Sequence, residues 1–182
     1  MSNIVDILVC VDAESIVNNC LLSQDPNQGI QIDNKYVYYI VRSKIDDTYL
    51  YAPEDNATGE MKLTVNVDDT IRWRPISLTQ QMKYSVLLYK MDGGEVGDPK
   101  NSSAHITYPE LHYGEIKVPY MTDENTYDGH SVTSYYHQSD AFRATSEQFD
   151  TTQNYIWHMS IYKGSNLAGY IWHDPFIIVK KS

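Results

Sequence analysis

Along most of this chain apolar residues recur at every second position. In 61–67 they are Met61, Leu63, Val65 and Val67; in 155–161 they are Tyr155, Trp157, Met159 and Ile161. Side chains of a strand alternate between its two faces, so this period predicts strands with one face buried. The segments so marked are 4–11, 36–42, 48–51, 61–67, 70–74, 84–90, 112–118, 131–137, 141–145, 155–162, 168–173 and 176–180. Turn residues such as Asp68-Asp69 and Asp92-Gly93-Gly94 separate them. The first segment is nearly continuous in apolar character, which suits a strand buried on both faces. Only 13–22 has helical spacing, with Asp12 placed to cap it and Ile16, Val17, Cys20 and Leu21 on one side. The stretch 23–34 reads as loop. So do large parts of 93–114 and 120–129, where function is expected to concentrate. Many short strands without intervening long helices predict an all-β fold. The expectation is a single domain over 1–182: an antiparallel β-sandwich, jelly-roll or Greek-key-like, with at most one or two short helices.

The last hairpin permits a register. A turn centred on Gly164-Ser165 pairs residues whose numbers sum to 329. Trp157 then faces Trp172, Met159 faces Tyr170, and Ile161 faces Ala168. Large apolar groups meet, so these rings are expected in the core. The alternative is a Trp157–Trp172 platform for a sugar.

Composition changes the picture in two respects. Tyrosine is abundant, 16 residues against 3 Phe and 3 Trp. Tyrosine suits half-buried strands, and it is also common on binding faces. The formal net charge is -10, from 14 basic and 24 acidic residues. Such a balance, with no basic run, argues against nucleic acid and anionic membranes as partners. No stretch approaches the about 18 apolar residues of a membrane span. The start lacks a basic region followed by an apolar one, so a cytoplasmic location is expected, with Cys10 and Cys20 reduced.

Candidate chemistry is sparse. The stretch 65–73 has the cadence of cupredoxin strands, but both cysteines lie near the N-terminus, where they cannot build a blue-copper site. Alternation instead sends Ile71 and Trp73 inward, and Arg72 and Arg74 outward. In the register above, His158 and His173 share a face with Asp174 adjacent, a conceivable zinc or nickel set. The competing reading is a pair of solvent-side histidines. Asp123, Asn125 and Asp128 form an oxygen-rich segment that resembles a calcium loop loosely, with Gly129 one position late for an EF-hand. A solvated turn is the plainer reading. No nucleophile elbow, P-loop or dinucleotide fingerprint is present, so no enzyme activity, catalytic residue or cofactor is expected.

Three blocks resemble the AidA/PixA inclusion-body protein family. They are Ile-Val-Asp-Ile-Leu-Val-Cys-Val-Asp-Ala-Glu at 4–14, Asp-Thr-Ile-Arg-Trp-Arg-Pro at 69–75, and Gly-Tyr-Ile-Trp-His-Asp-Pro-Phe-Ile-Ile-Val-Lys at 169–180. They lie in order across the whole chain. The resemblance implies a small bacterial protein without a signal peptide, stored as cytoplasmic inclusions in a quorum-regulated or host-associated setting. It carries over no catalytic residue and no ligand. The expected partner is therefore the protein itself. The alternative is a carbohydrate- or small-ligand-binding, lectin-like module using tyrosine-rich loops.

Overall fold

The computed structural model describes residues 2–45, 48–50, 57–59, 62–93, 96–98, 100, 103–142 and 151–180. The first strand, β1 (Ile4–Val11), runs into a short helix, α1 (Ala13–Asn19). Asp12 caps that helix by accepting the Ser15 N–H at 3.1 Å. The helix ends three residues sooner than its apolar spacing suggests. Asn18 and Asn19 are poor helix formers, and the Asn19 side chain bonds the Ser15 carbonyl at 2.8 Å. Next come β2 (Ile30–Gln31), a 3-10 turn at Asn34–Tyr36, β3 (Val37–Ile45), β4 (Thr48–Leu50), β5 (Lys62–Asn66), β6 (Thr70–Ser77) and β7 (Tyr84–Asp92). Two long strands follow, β8 (Glu110–Asp123) and β9 (Thr126–Asp140). The chain closes with β10 (Thr151–Asn154), β11 (Ile156–Lys163), β12 (Asn166–His173) and β13 (Phe176–Lys180). The segment 141–145 falls largely outside the described residues; Ala141 makes an isolated bridge to Ile106.

The strands form three sheets, ordered β4-β3-β1-β6-β9-β8, β2-β12-β11-β7 and β10-β13-β5. The fold is all-β, as the period-two pattern implies, but the sheets are mixed rather than wholly antiparallel. β1 with β6, β12 with β2, and β13 with β5 are parallel. These partners lie far apart in the chain. Alternation reports which face a residue takes, not which distant strand lies beside it.

The core lies between the six-stranded and four-stranded sheets. Val5, Ile7, Val9 and Val11 of β1, Val37 and Tyr39 of β3, and Ile71 and Trp73 of β6 are buried. The ring of Trp73 meets Trp157 of β11 edge-on at 5.7 Å and Tyr155 at 5.9 Å. Leu63, Val65, Ile177 and Val179 of the third sheet join the same cluster.

The C-terminal hairpin corrects the expected register. Lys163 pairs with Asn166 and Tyr162 with Leu167, a sum of 329, but a bulge between Ile161 and Tyr162 shifts everything beyond it by one. Trp157 therefore pairs with His173, and His158 with Trp172. A one-residue slip exchanges faces, so Trp157 is fully buried while Trp172 is only half-buried on the other side. Gly169 marks the bulge. Its φ is 154°, and a Cβ there would lie 2.5 Å from that of Leu22. Only glycine lets the backbone pass so close.

A second correction concerns 120–129. It is not a loop: β8 and β9 continue through it and turn only at Glu124-Asn125. Among the described residues no helix is long and apolar enough to cross a membrane.

Candidate functional site: an exposed arm and the groove at its root

β9 pairs with β6 only over Thr70–Trp73, opposite His137–Asp140. The ladder ends two residues before Pro75, which has no N–H to donate. From there β8 and β9 leave the body as a two-stranded arm. An isolated ribbon of this kind is at best marginally stable in water. This one leaves large apolar groups uncovered: Tyr113 is 76% exposed, Met121 64% and Tyr127 79%. Of the 16 tyrosines five lie in β8 and β9, so the tyrosine excess concentrates on a strand ribbon rather than on loops.

One face of the arm continues the outer face of the six-stranded sheet. Gln138 stands opposite Arg72 and takes its Nε–H at 3.1 Å. The cross-strand pairs on that face then run Tyr136 with His112, Ser134 with Gly114, Val132 with Ile116, His130 with Val118, and Asp128 with Tyr120. Tyr136 stacks on His112 at 5.2 Å, and Tyr120 on His130 at 4.8 Å. The Arg72 guanidinium lies over Tyr136, 5.1 Å from the ring centre.

At the root of the arm, where β9 diverges from β6, sits a depression of about 290 Å³ lined by Asp6, Leu8, Arg72, Arg74 and Tyr136. A neighbouring one of about 370 Å³ shares Leu8 and Arg74 and extends to Thr133 and Tyr135. Burial pushes the Tyr135 hydroxyl up to about 12. Arg74 is exposed, and it forms no ion pair among the described residues. In a chain with 24 acidic residues, an exposed arginine that forms no ion pair, even with Asp6 lining the same depression, is available to an external anionic group.

The metal candidates from sequence are not brought together. His173 points inward, where its Nδ1 lies 3.0 Å from the Tyr39 hydroxyl and its Nε2 2.8 Å from Asn34 Oδ1. The amide oxygen can only accept, so Nε2 carries the proton and the Tyr39 O–H donates to Nδ1. Both ring nitrogens are thus engaged. His158 points to the opposite face, 3.0 Å from Asp92 Oδ2. Burial holds its pKa below the usual histidine value, with Asp92 acting against that. Asp174 accepts a bond from Gln31 at 3.2 Å. The one-residue bulge is the physical reason: it puts the two histidines on different faces.

The calcium candidates flank the arm's turn. Asp123 accepts the Glu124 N–H at 2.6 Å, Asp128 accepts the Gly129 N–H at 2.7 Å, and Asn125 is a turn residue. Among the described residues no group of three or more His, Cys, Asp or Glu side chains is placed to hold a metal. Cys10 and Cys20 are free thiols, and burial raises the pKa of Cys10. The arginine groove was legible only in part. Alternation places Arg72 and Arg74 outside, but no local signal says that Tyr136 and His112, some sixty and forty positions on, will flank them.

No curated protein sequence matches the chain. Among solved structures it is similar to the crystal structure of an inclusion body protein, PixA, from Burkholderia cenocepacia J2315. That likeness has a TM-score of 0.74 at 16% identity and covers 98% of this chain and 97% of the other, so it shows a shared fold. The family model described as PixA, inclusion body protein, matches residues 3–179. With nearly the whole length matched in sequence and in architecture, the chain belongs to the PixA inclusion body protein family.

Proposed function

We propose that this protein acts without catalysis, by accumulating in the bacterial cytoplasm as assemblies of its own copies. The observation that carries this reading is the arm: beyond its root, β8 from Tyr113 to Asp123 and β9 from Thr126 to Thr133 are exposed on both faces apart from Gly129. Large exposed apolar surface on a soluble fold marks an interaction site. In a family described as inclusion body proteins, the partner present at the highest concentration is another copy. The net charge of -10 opposes close packing at neutral pH, so association needs a contact that overcomes it. The test is to express the full chain in a bacterium, section the cells for electron microscopy, and follow the released protein by light scattering over a concentration series. Dense bodies that contain the protein, with scattering that rises with concentration, are expected. Dispersed protein at high expression, with a flat scattering series, would sink the reading.

The groove favours a second reading, a small carbohydrate or anionic ligand held by Arg72, Arg74 and the Tyr136–His112 stack. Retention on a glycan array, abolished by Arg72→Ala, is its expected signature; retention of nothing removes it.

A further inference from the structure

The order of side chains along one face of the arm has a symmetry of its own. At the root stand Arg72 and Arg74. Next come His112 and Tyr136, then the apolar pair Ile116 and Val132, then Val118 opposite His130, and finally Tyr120 and Asp128 near the tip. All project from the same side of one continuous sheet, because directly opposed residues in an antiparallel pair share a face. The root carries Arg72 and Arg74 beside Asp6 and Glu110, and the tip carries Asp128 opposite Tyr120. The middle is aliphatic and half-open, with Ile116 38% and Val132 41% exposed. From Tyr136 to Asp128 along β9 the midpoint is Val132.

We propose that this face is a two-fold clasp between two copies of the chain. The arms lie antiparallel, Ile116 and Val132 of each copy meet those of the other at the axis, and each acidic tip lies over the other copy's arginine root. The proposal deepens the self-association reading and rests on it. A sequence of groups that is basic, apolar and acidic along a line is complementary to itself when reversed, and an isologous contact requires that property. Asp128 then meets Arg74, the exposed guanidinium that forms no ion pair among the described residues. Asp6 and Glu110 also stand near the root, so the match depends on Arg74, which lines the depressions beside Tyr136 and Tyr135. Opposite charges at the two ends set register and direction, while the aliphatic centre supplies the burial.

Strand addition at the free edge of β8 is opposed by that edge itself. It carries Lys117 and Pro119, residues that blunt edge pairing. A face contact about a two-fold axis closes on itself. The covered strip is short: eight residues at about 3.3 Å each, two strands wide, amounts to roughly 500 Å² for both copies together. That is well under the about 1,200 Å² of a durable interface. The clasp is therefore a reversible contact whose occupancy follows concentration, as suits a protein that accumulates.

The experiment is sedimentation velocity on the full chain over a concentration series. Circular dichroism checks that each variant is folded, since every altered side chain is exposed or half-exposed. The wild type should shift from one copy to two as concentration rises. Ile116→Asp with Val132→Asp should weaken pairing at least tenfold. Arg74→Glu and Asp128→Arg should each weaken it, and the double swap should restore it. If the wild type pairs and these variants pair as well as it does, the clasp is wrong while self-association stands. If cells store the protein yet the purified chain stays single at every concentration, the clasp is likewise wrong, and storage proceeds by another route. If neither storage nor pairing occurs, both readings fall.

Discussion

Trp157 and Tyr113 are both aromatic residues within segments that the sequence marks as strands, 155–162 and 112–118. In the body, Trp157 is fully buried and has Trp73 at 5.7 Å and His137 at 5.0 Å. In the arm, Tyr113 is 76% exposed. The strand code is the same and the environments are opposite. The difference comes from what lies across each face. The body's sheets have a second layer, so alternation is converted into a dry interior, and burial of one aromatic ring stabilises the fold by a few kcal/mol. The arm has only itself, so alternation yields two wet faces. A protein that retains such a ribbon exposes surface that contributes little to its own stability, which is why the arm is read as an instrument of contact.

The widest separation between the regions is expected from truncation. Trp157→Ala should cost about 3–5 kcal/mol, because it leaves a cavity among Trp73, His137 and Tyr155. Tyr113→Ala should stay within about 0.5 kcal/mol. Denaturant melts of the two variants beside the wild type measure both. Comparable losses would mean that the arm is packed after all.

A smaller effect separates polar from apolar contributions inside the body. Tyr39 and His173 are buried, and the tyrosine hydroxyl supplies the hydrogen bond to His173 Nδ1. Tyr39→Phe keeps the ring and removes the donor, so a loss of about 1–3 kcal/mol is expected from the buried nitrogen left behind. Thermal unfolding reads it. An unchanged midpoint would show that His173 is satisfied without Tyr39.

The smallest effect is a pH dependence confined to the body. Burial holds His137 below the usual histidine value, although its bond to the Leu88 carbonyl acts the other way. The unfolded chain therefore binds a proton at higher pH than the folded one does. Its contribution is fully present above about 6.5, the unperturbed value, and is lost as pH falls through the lower folded value. His158 has a shift of the same sign. Melting temperature should fall between pH 7.5 and 5, and less steeply in His137→Gln, which keeps a donor near Leu88 but does not titrate. Identical slopes would remove His137 as a cause.

Much of the body was legible in the chain because its signals are local. The extent of β1, the Asp12 cap, the inward Ile71 and Trp73, and the last hairpin's turn all follow from period, capping chemistry and turn residues; the expected burial of β1 on both faces does not hold, because Ile4 and Asp6 are exposed where no layer covers the outer face. The hairpin shows where such reading stops. The count from the turn is right for two pairs and then fails at a bulge. At that bulge Gly169 passes close to Leu22, a residue far away in the chain. The metal set of His158, His173 and Asp174 failed with it, since one residue of slip exchanges the faces of a strand.

The arm shows the complementary gap. Residues 120–129 are rich in turn formers, yet cross-strand pairing carries the ribbon through them to Glu124-Asn125. By itself the sequence determined the strand class, the absence of familiar catalytic motifs, the charge, and the blocks that resemble the family. Those depend on neighbours in the chain and on composition. Only the tertiary structure decided which distant strands run parallel and which faces His158 and His173 take. It alone decided that Arg74 stands at the root of an uncovered ribbon. Each of these depends on what packs against a strand from elsewhere, and no period along the chain encodes the layer that will lie across from it.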